Sequence, residues 1–239
     1  LRDYTYERSK IYKKVLAITI NNAYATAISS LGFLEFLPKS QYLYIHNIDL
    51  ENRYEVISTV STTKNYPIRL SFIGNIRYLN INKKLLLAMK NDDRFILQYF
   101  GVGSENLVAF CKDNNIRNVY IEGAFPFERT SELYKSSDII NNIYGNDSIE
   151  VRTALSNKLY YAAIYKKPIL VSTGTFMESI VNQYKLGIGI DINDLNLANH
   201  IFDWYNSFSP NESLSISFLE QVIIEEELTK SKFIQFIKR

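Results

Sequence analysis

The stretch Arg69-Leu70-Ser71-Phe72-Ile73-Gly74-Asn75-Ile76-Arg77 decides the fold. A run of strand length, rich in branched and aromatic side chains, goes straight into a glycine, and a helical pattern follows over 81–90. The figure then recurs. Phe95–Phe100 runs into Gly101, Asn118–Glu122 into Gly123 and Asp138–Tyr144 into Gly145, and Ile169–Ser172 precedes Gly174. Runs of this composition bounded by glycine read as strands. Helical periodicity fills the gaps at 104–113, 127–135, 149–165 and 175–185. The five glycines from Gly74 to Gly174 fall 27, 22, 22 and 29 residues apart. Strands alternating with helices at that spacing predict βαβ units and a parallel sheet. With Gly187-Ile188-Gly189-Ile190 as a sixth strand, residues 67–208 are expected to form an α/β domain, a doubly wound parallel sheet. Glycines at strand ends let the chain turn sharply and let a ligand approach the backbone.

Outside this block the texture changes. Residues 1–50 hold a helix-or-strand ambiguity over Leu1–Asn22, a candidate strand at 25–29 and a better one at Tyr42-Leu43-Tyr44-Ile45, ending at His46-Asn47. That is too little chain to bury a core of its own. Residues 51–66 are polar, with Ser, Thr and Asn clustered, and read as a linker. The tail 209–239 carries two helical patterns, Ser213–Glu227 and a basic stretch around Phe233 and Ile234. Packing against the body is the simpler reading of that tail; an amphipathic contact with a membrane surface is the sharper one.

Composition narrows the function classes. Lys and Arg number 27 against 25 Asp and Glu, a net charge of +2, with 46% hydrophobic residues. Such a chain folds rather than staying disordered. The charge gives no cationic excess for neutralising many phosphates, so no nucleic-acid partner is expected. One cysteine and two histidines leave no Cys- or His-rich metal site, and none is expected. No apolar run is long enough to span a bilayer, which suggests a cytoplasmic protein.

Three places could carry chemistry. Gly74, Asn75 and Arg77 leave the first strand, and Lys83 and Lys84 are read as opening or capping the next helix; backbone N–H groups plus a guanidinium make an anion site. By itself, a strand-ending glycine beside a solvated arginine explains this stretch as well. Ser156-Asn157-Lys158 puts a cation beside cap-forming residues, where the helix dipole disfavours it. A bound phosphate would relieve that misfit; a surface lysine is the plain alternative. Glu178 follows the hydroxyl-rich turn Ser172-Thr173-Gly174-Thr175, which could bind a sugar or simply cap a helix. Neither the triple-glycine dinucleotide fingerprint nor a phosphate-binding loop is present. Cys111 reads as a core thiol, and His46 as structural or as a cleft residue.

Taken in order, these segments resemble the nucleotide-binding half of a GT-B glycosyltransferase of the group 1/family 4 type that builds bacterial capsules, exopolysaccharides or O-antigen. The resemblance rests on Phe72–Arg77, on Asn118–Gly123 followed by Glu132-Leu133-Tyr134 and Asp138, and on Asn157-Lys158-Leu159 through Lys167-Pro168-Ile169. Ile28–Phe33 and Tyr44–Asn47 are similar to the end of that family's N-terminal domain, which makes residues 4–22 a helix. The resemblance implies a nucleotide-diphosphate sugar as donor, a glycan or lipid-linked acceptor, no metal or other cofactor, and a place in the cytoplasm or at the inner face of the membrane. It implies donor contacts from Gly74, Asn75, Arg77 and Lys83, from Gly123 and Phe125 near the base, and from Asn157, Lys158 and Tyr161. Where the family often carries two glutamates eight positions apart, this chain has Thr153 and Tyr161, with Glu150 one turn early. The first two-thirds of the family's N-terminal domain has no counterpart. The usual catalytic side chain lies there, so a fragment inactive by itself is expected. The other readings are a non-catalytic nucleotide-sugar-binding module and a UDP-sugar 2-epimerase, which shares the scaffold.

Overall fold

The computed structural model describes residues 9–48 and 64–237 of the 239. Most of the expected linker therefore lies outside the described residues. Helix α1 (Lys10–Asn22) starts at Ser9, whose side chain accepts the N–H of Tyr12. It is followed by two short parallel strands, β1 (Thr26–Ile28) and β2 (Tyr42–Tyr44), paired from Thr26↔Tyr42 to Ile28↔Tyr44. Ile20, Ile28, Phe33 and Leu37 make a small apolar cluster here, and Ala154 from the main domain packs against it. This layer leans on the body, as so small a cluster must.

The main domain alternates strand and helix. Its elements are β3 (Ile68–Ile73), α2 (Leu79–Ala88), β4 (Phe95–Phe100), α3 (Val108–Asp113), β5 (Val119–Glu122), α4 (Thr130–Ser136) and β6 (Ile139–Asn142). Then come α5 (Ile149–Thr153), α6 (Asn157–Ile164), β7 (Ile169–Ser172), α7 (Phe176–Gln183), β8 (Gly187–Ile190), α8 (Leu197–Ser207) and α9 (Glu212–Ile237). The six strands form one parallel sheet in the order β5-β4-β3-β6-β7-β8, each at a glycine-bounded run of the sequence. The α/β, doubly wound expectation is met.

Helices cover both faces, so the strands are apolar on both sides rather than alternating. Ile68, Leu70 and Phe72 point into a cluster with Leu85, Leu86, Met89 and Ile201. Ile73 and Ile140 point the other way, with Leu159, Val171, Val181 and Phe218. The strand order reverses between β3 and β6, which opens a crevice at their carboxyl ends. Gly101, at the end of β4, has φ +129, and a Cβ there would lie 2.1 Å from the carbonyl oxygen of Gly74. Only glycine lets the two strand ends cross so closely.

Three helical expectations are corrected. Residues 149–165 are two helices, because Ala154 is extended and the Ser156 side chain accepts the N–H of Lys158 to start α6. The tail is one helix of 26 residues, not two. Helix α8 was not anticipated; its buried side, Leu197, Ile201 and Tyr205, completes the core beside α2. Lys83 and Lys84 lie in the middle of α2 rather than at its start. Among the described residues no helix is long and apolar enough to cross a membrane.

Candidate anion-binding site

The crevice between β3 and β6 holds a cavity of about 290 Å³. Asn75, Arg77 and Tyr78 come to it from the end of β3, and Asn142 and Tyr144 from the end of β6. Glu150 enters from α5, and Asn157 and Lys158 from the first turn of α6. Ser29 and Asn47 reach it from the N-terminal layer. The sheet reversal thus gathers residues far apart in sequence.

Lys158 is the anomaly of this cavity. It is only 6% exposed, at a helix end whose dipole opposes a cation. Its Nζ donates to the Tyr144 hydroxyl at 2.7 Å and sits 4.2 Å from the centre of the Phe72 ring. Among the described residues it has no carboxylate partner. The ring and hydroxyl offset part of the desolvation cost, but a buried charge is normally paired. Gly74 is the backbone next to the ammonium: a Cβ there would lie 3.8 Å from Nζ. Arg77 is more open, with its side chain 56% exposed and Nη1 4.0 Å from Glu150 Oε1. A buried ammonium and a reachable guanidinium on one cavity form a cationic pair suited to a polyanion.

The lining also holds a buried amide. Asn142 is 4% exposed; its Nδ2 donates to Met177 Sδ at 3.1 Å, and its Oδ1 has no hydrogen-bond partner. The loop after β6 is fixed by Ser172, whose Oγ accepts the N–H of Tyr144 at 3.0 Å and of Gly145 at 2.8 Å.

The N-terminal layer holds the α5–α6 segment in place. Ser30 Oγ donates to Thr153 O at 2.5 Å, and Asn47 Nδ2 donates to Asn157 Oδ1 at 3.0 Å. Gly32 packs so tightly that a Cβ would lie 2.4 Å from Thr153 O. The cavity is therefore shared by the two parts of the chain.

No family model and no curated protein sequence matches the chain. Solved structures do. A glycosyltransferase from Rickettsia africae aligns over 98% of this chain and 68% of its own, with TM-score 0.61 and 16% identity. Anabaena HepE, in complex with UDP-glucose, aligns over 97% of this chain and 70% of its own, with TM-score 0.66 and 12% identity. The pneumococcal O-GlcNAc transferase GtfA, in complex with UDP and GlcNAc, aligns over 100% of this chain and 51% of its own, with TM-score 0.60 and 13% identity. The chain has the GT-B glycosyltransferase fold. At these identities the likeness is one of fold.

Within that fold the expected donor contacts divide. Asn75, Arg77, Asn157 and Lys158 line the cavity, and Gly74 adjoins Lys158. Lys83 does not; its Nζ lies 5.1 Å from the Phe110 ring centre. Tyr161 does not line the cavity; it is buried and stacked on Tyr134, with centroids 4.5 Å apart. Gly123 and Phe125 follow β5, outside the cavity, and Phe125 packs against the apolar cluster beneath α6. Thr153 is buried and donates to Ile149 O, while Glu150 lines the cavity. Glu178 caps the start of α7, accepting the N–H of Gly174 at 2.8 Å. Cys111 is buried in the core, and burial pushes its thiol pKa up. His46 is buried between the Tyr160 hydroxyl at 2.8 Å and Glu225 at 2.7 Å. Sequence reading did not single out Asn142, Tyr144 or Ser29. The one available signal was the polar pair Asn141-Asn142 ending an otherwise apolar strand.

Proposed function

We propose that this chain is the donor-binding part of a family 4-type bacterial glycosyltransferase, moving a sugar from a nucleoside-diphosphate donor to a glycan or lipid-linked acceptor in capsule, exopolysaccharide or O-antigen synthesis. One observation carries the reading: a buried Lys158, with no carboxylate partner among the described residues, opens α6 in the same cavity as Arg77. The fold shared with sugar transferases supports it, two of which hold UDP or UDP-glucose.

The chemistry follows from where charge develops. As the bond from sugar to diphosphate breaks, negative charge grows on the leaving phosphate oxygen. Lys158 and Arg77 lie ready to neutralise it, and a desolvated ammonium does so more strongly than one in water. In this reading no metal is needed, because the two cations do the work a divalent ion does elsewhere. Glu150, paired with Arg77, is the carboxylate of the cavity lining. The reading places the protein in the cytoplasm. It allows peripheral membrane contact through the exposed Phe233 and Ile234 of α9, next to Lys230 and Lys232.

Calorimetry with UDP and GDP on the wild type, Arg77→Ala and Lys158→Ala tests this. The wild type should bind one of them and each variant should bind it more weakly; in turnover each truncation should cost about 2–4 kcal/mol at the transition state. A chelator should leave the affinity unchanged. Equal binding by both variants would remove the assignment.

A further inference from the structure

The position of the Lys158 charge depends on what grips its end. A lysine side chain is long and rich in rotamers, so burial of its stem does not by itself fix the ammonium. Here Nζ donates to the Tyr144 hydroxyl at 2.7 Å. Tyr144 is in turn fixed from several sides. Its backbone N–H donates to Ser172 Oγ at 3.0 Å. Its ring packs on Phe72, with centroids 5.8 Å apart, and on Tyr78, with centroids 5.1 Å apart. Phe72 is also the ring that faces Nζ at 4.2 Å, so ring, hydroxyl and ammonium form one packed unit. Tyr78 has left-handed backbone, with φ 54°. That conformation is costly for a tyrosine, and strain of this kind clusters at ligand sites. Tyr78, Tyr144 and Lys158 all line the cavity.

We infer that Tyr144 is a positioning residue: its hydroxyl holds the Lys158 ammonium in the cavity lining, and it acts on a bound diphosphate through that lysine. Without the hydroxyl the ammonium loses a partner at a site poor in water, and it must move to regain one. A preorganised charge stabilises an anion better than one that has to be brought into place. The inference rests on the diphosphate reading above and deepens it.

Calorimetry on the full chain tests it, with UDP or GDP, whichever the wild type binds, and with the matching nucleoside. Tyr144→Phe keeps the ring and its contacts with Phe72 and Tyr78 and removes the hydroxyl. It should bind the diphosphate about tenfold more weakly, the scale of one hydrogen bond to a charged group. Nucleoside binding should stay as in the wild type. The loss should persist when Tyr144→Phe is added to Arg77→Ala and vanish when it is added to Lys158→Ala, because the hydroxyl then has no ammonium to hold. A hydroxyl that served the fold alone would weaken diphosphate and nucleoside alike in every background, and that result overturns the inference. Diphosphate binding unchanged in Tyr144→Phe also overturns it, and leaves the diphosphate reading standing. Failure of the wild type to bind any nucleoside diphosphate overturns that reading and this inference with it. Should Tyr144→Phe not fold, Ser172→Ala, which releases the Tyr144 backbone, decides by the same pattern: a loss in the wild type and in Arg77→Ala, and none in Lys158→Ala.

Discussion

Lys158 sits where helix electrostatics, burial and the lack of a counter-charge among the described residues all oppose an ammonium. A residue held against those three costs serves a ligand better than it serves the fold. Lys158→Met should therefore raise stability by about 1 kcal/mol, a rise of about 2–4 °C in melting temperature for a chain of this size. The same variant should lose diphosphate binding, and a thermal scan with and without UDP reads both effects. Lower stability in that variant would mark the lysine as structural. Arg77 and Lys158 were legible in sequence because each stands next to a turn signal, a strand-ending glycine or a cap-forming serine. Asn142 was not legible. Whether a polar residue is buried and left without a donor depends on what packs over it from β7 and α7, which no local pattern encodes. Lys83 and Tyr161 show the converse: a helix position fixes a face, but the core decides which face meets the cavity.

Helix α5 and helix α6 form the element on which the site depends. Periodicity ran them together, since Ala154 and Leu155 continue the apolar pattern across the break. At the break, the extended Ala154 and the Ser156 cap are met from outside by Ser30 bonded to Thr153 O and by the close approach of Gly32. Gly32→Ala should push Thr153 away, cost about 1–3 kcal/mol of stability by overpacking, and weaken UDP binding at the displaced Lys158. Ser30→Ala should weaken UDP binding less, since it removes a hydrogen bond without adding a clash. Denaturant unfolding and calorimetry on the two variants check the ranking. Helix α8 escaped sequence reading for a related reason. Its buried face is only Leu197, Ile201 and Tyr205, among polar residues, too sparse to stand out without the core beneath it.

At the scale of the molecule, the six-strand order was readable because glycine punctuation repeats five times. The N-terminal layer was not, since its strands are three residues long and take their meaning from the body they rest on. The base of the sheet, away from the cavity, carries an acid-sensitive link. Burial pushes the Asp138 pKa up, but hydrogen bonds from Arg69 and Asn65 outweigh this and hold it below the ordinary value of 3.8. A carboxylate depressed in the folded state stabilises above its unfolded pKa and loses that contribution as pH falls through the folded value. The wild type should thus lose stability below about pH 4. Asp138→Asn should show a flatter acid limb and, at neutral pH, stability lower by about 2–3 kcal/mol, discounted for the partly exposed Arg69. Melting temperatures across pH 2.5–7 would show it.

The cavity draws its walls from both ends of the chain, from Ser29 and Asn47 before the sheet to Lys158 and Met177 deep within it. A molecule bound there works as a strap between parts that thermal motion would otherwise pull separately. At a hundred times its dissociation constant, it adds about 2.7 kcal/mol against unfolding. Starved of that ligand, the N-terminal layer should be the first part to work loose, and amide exchange in β1 and β2 should quicken before the six-strand sheet responds.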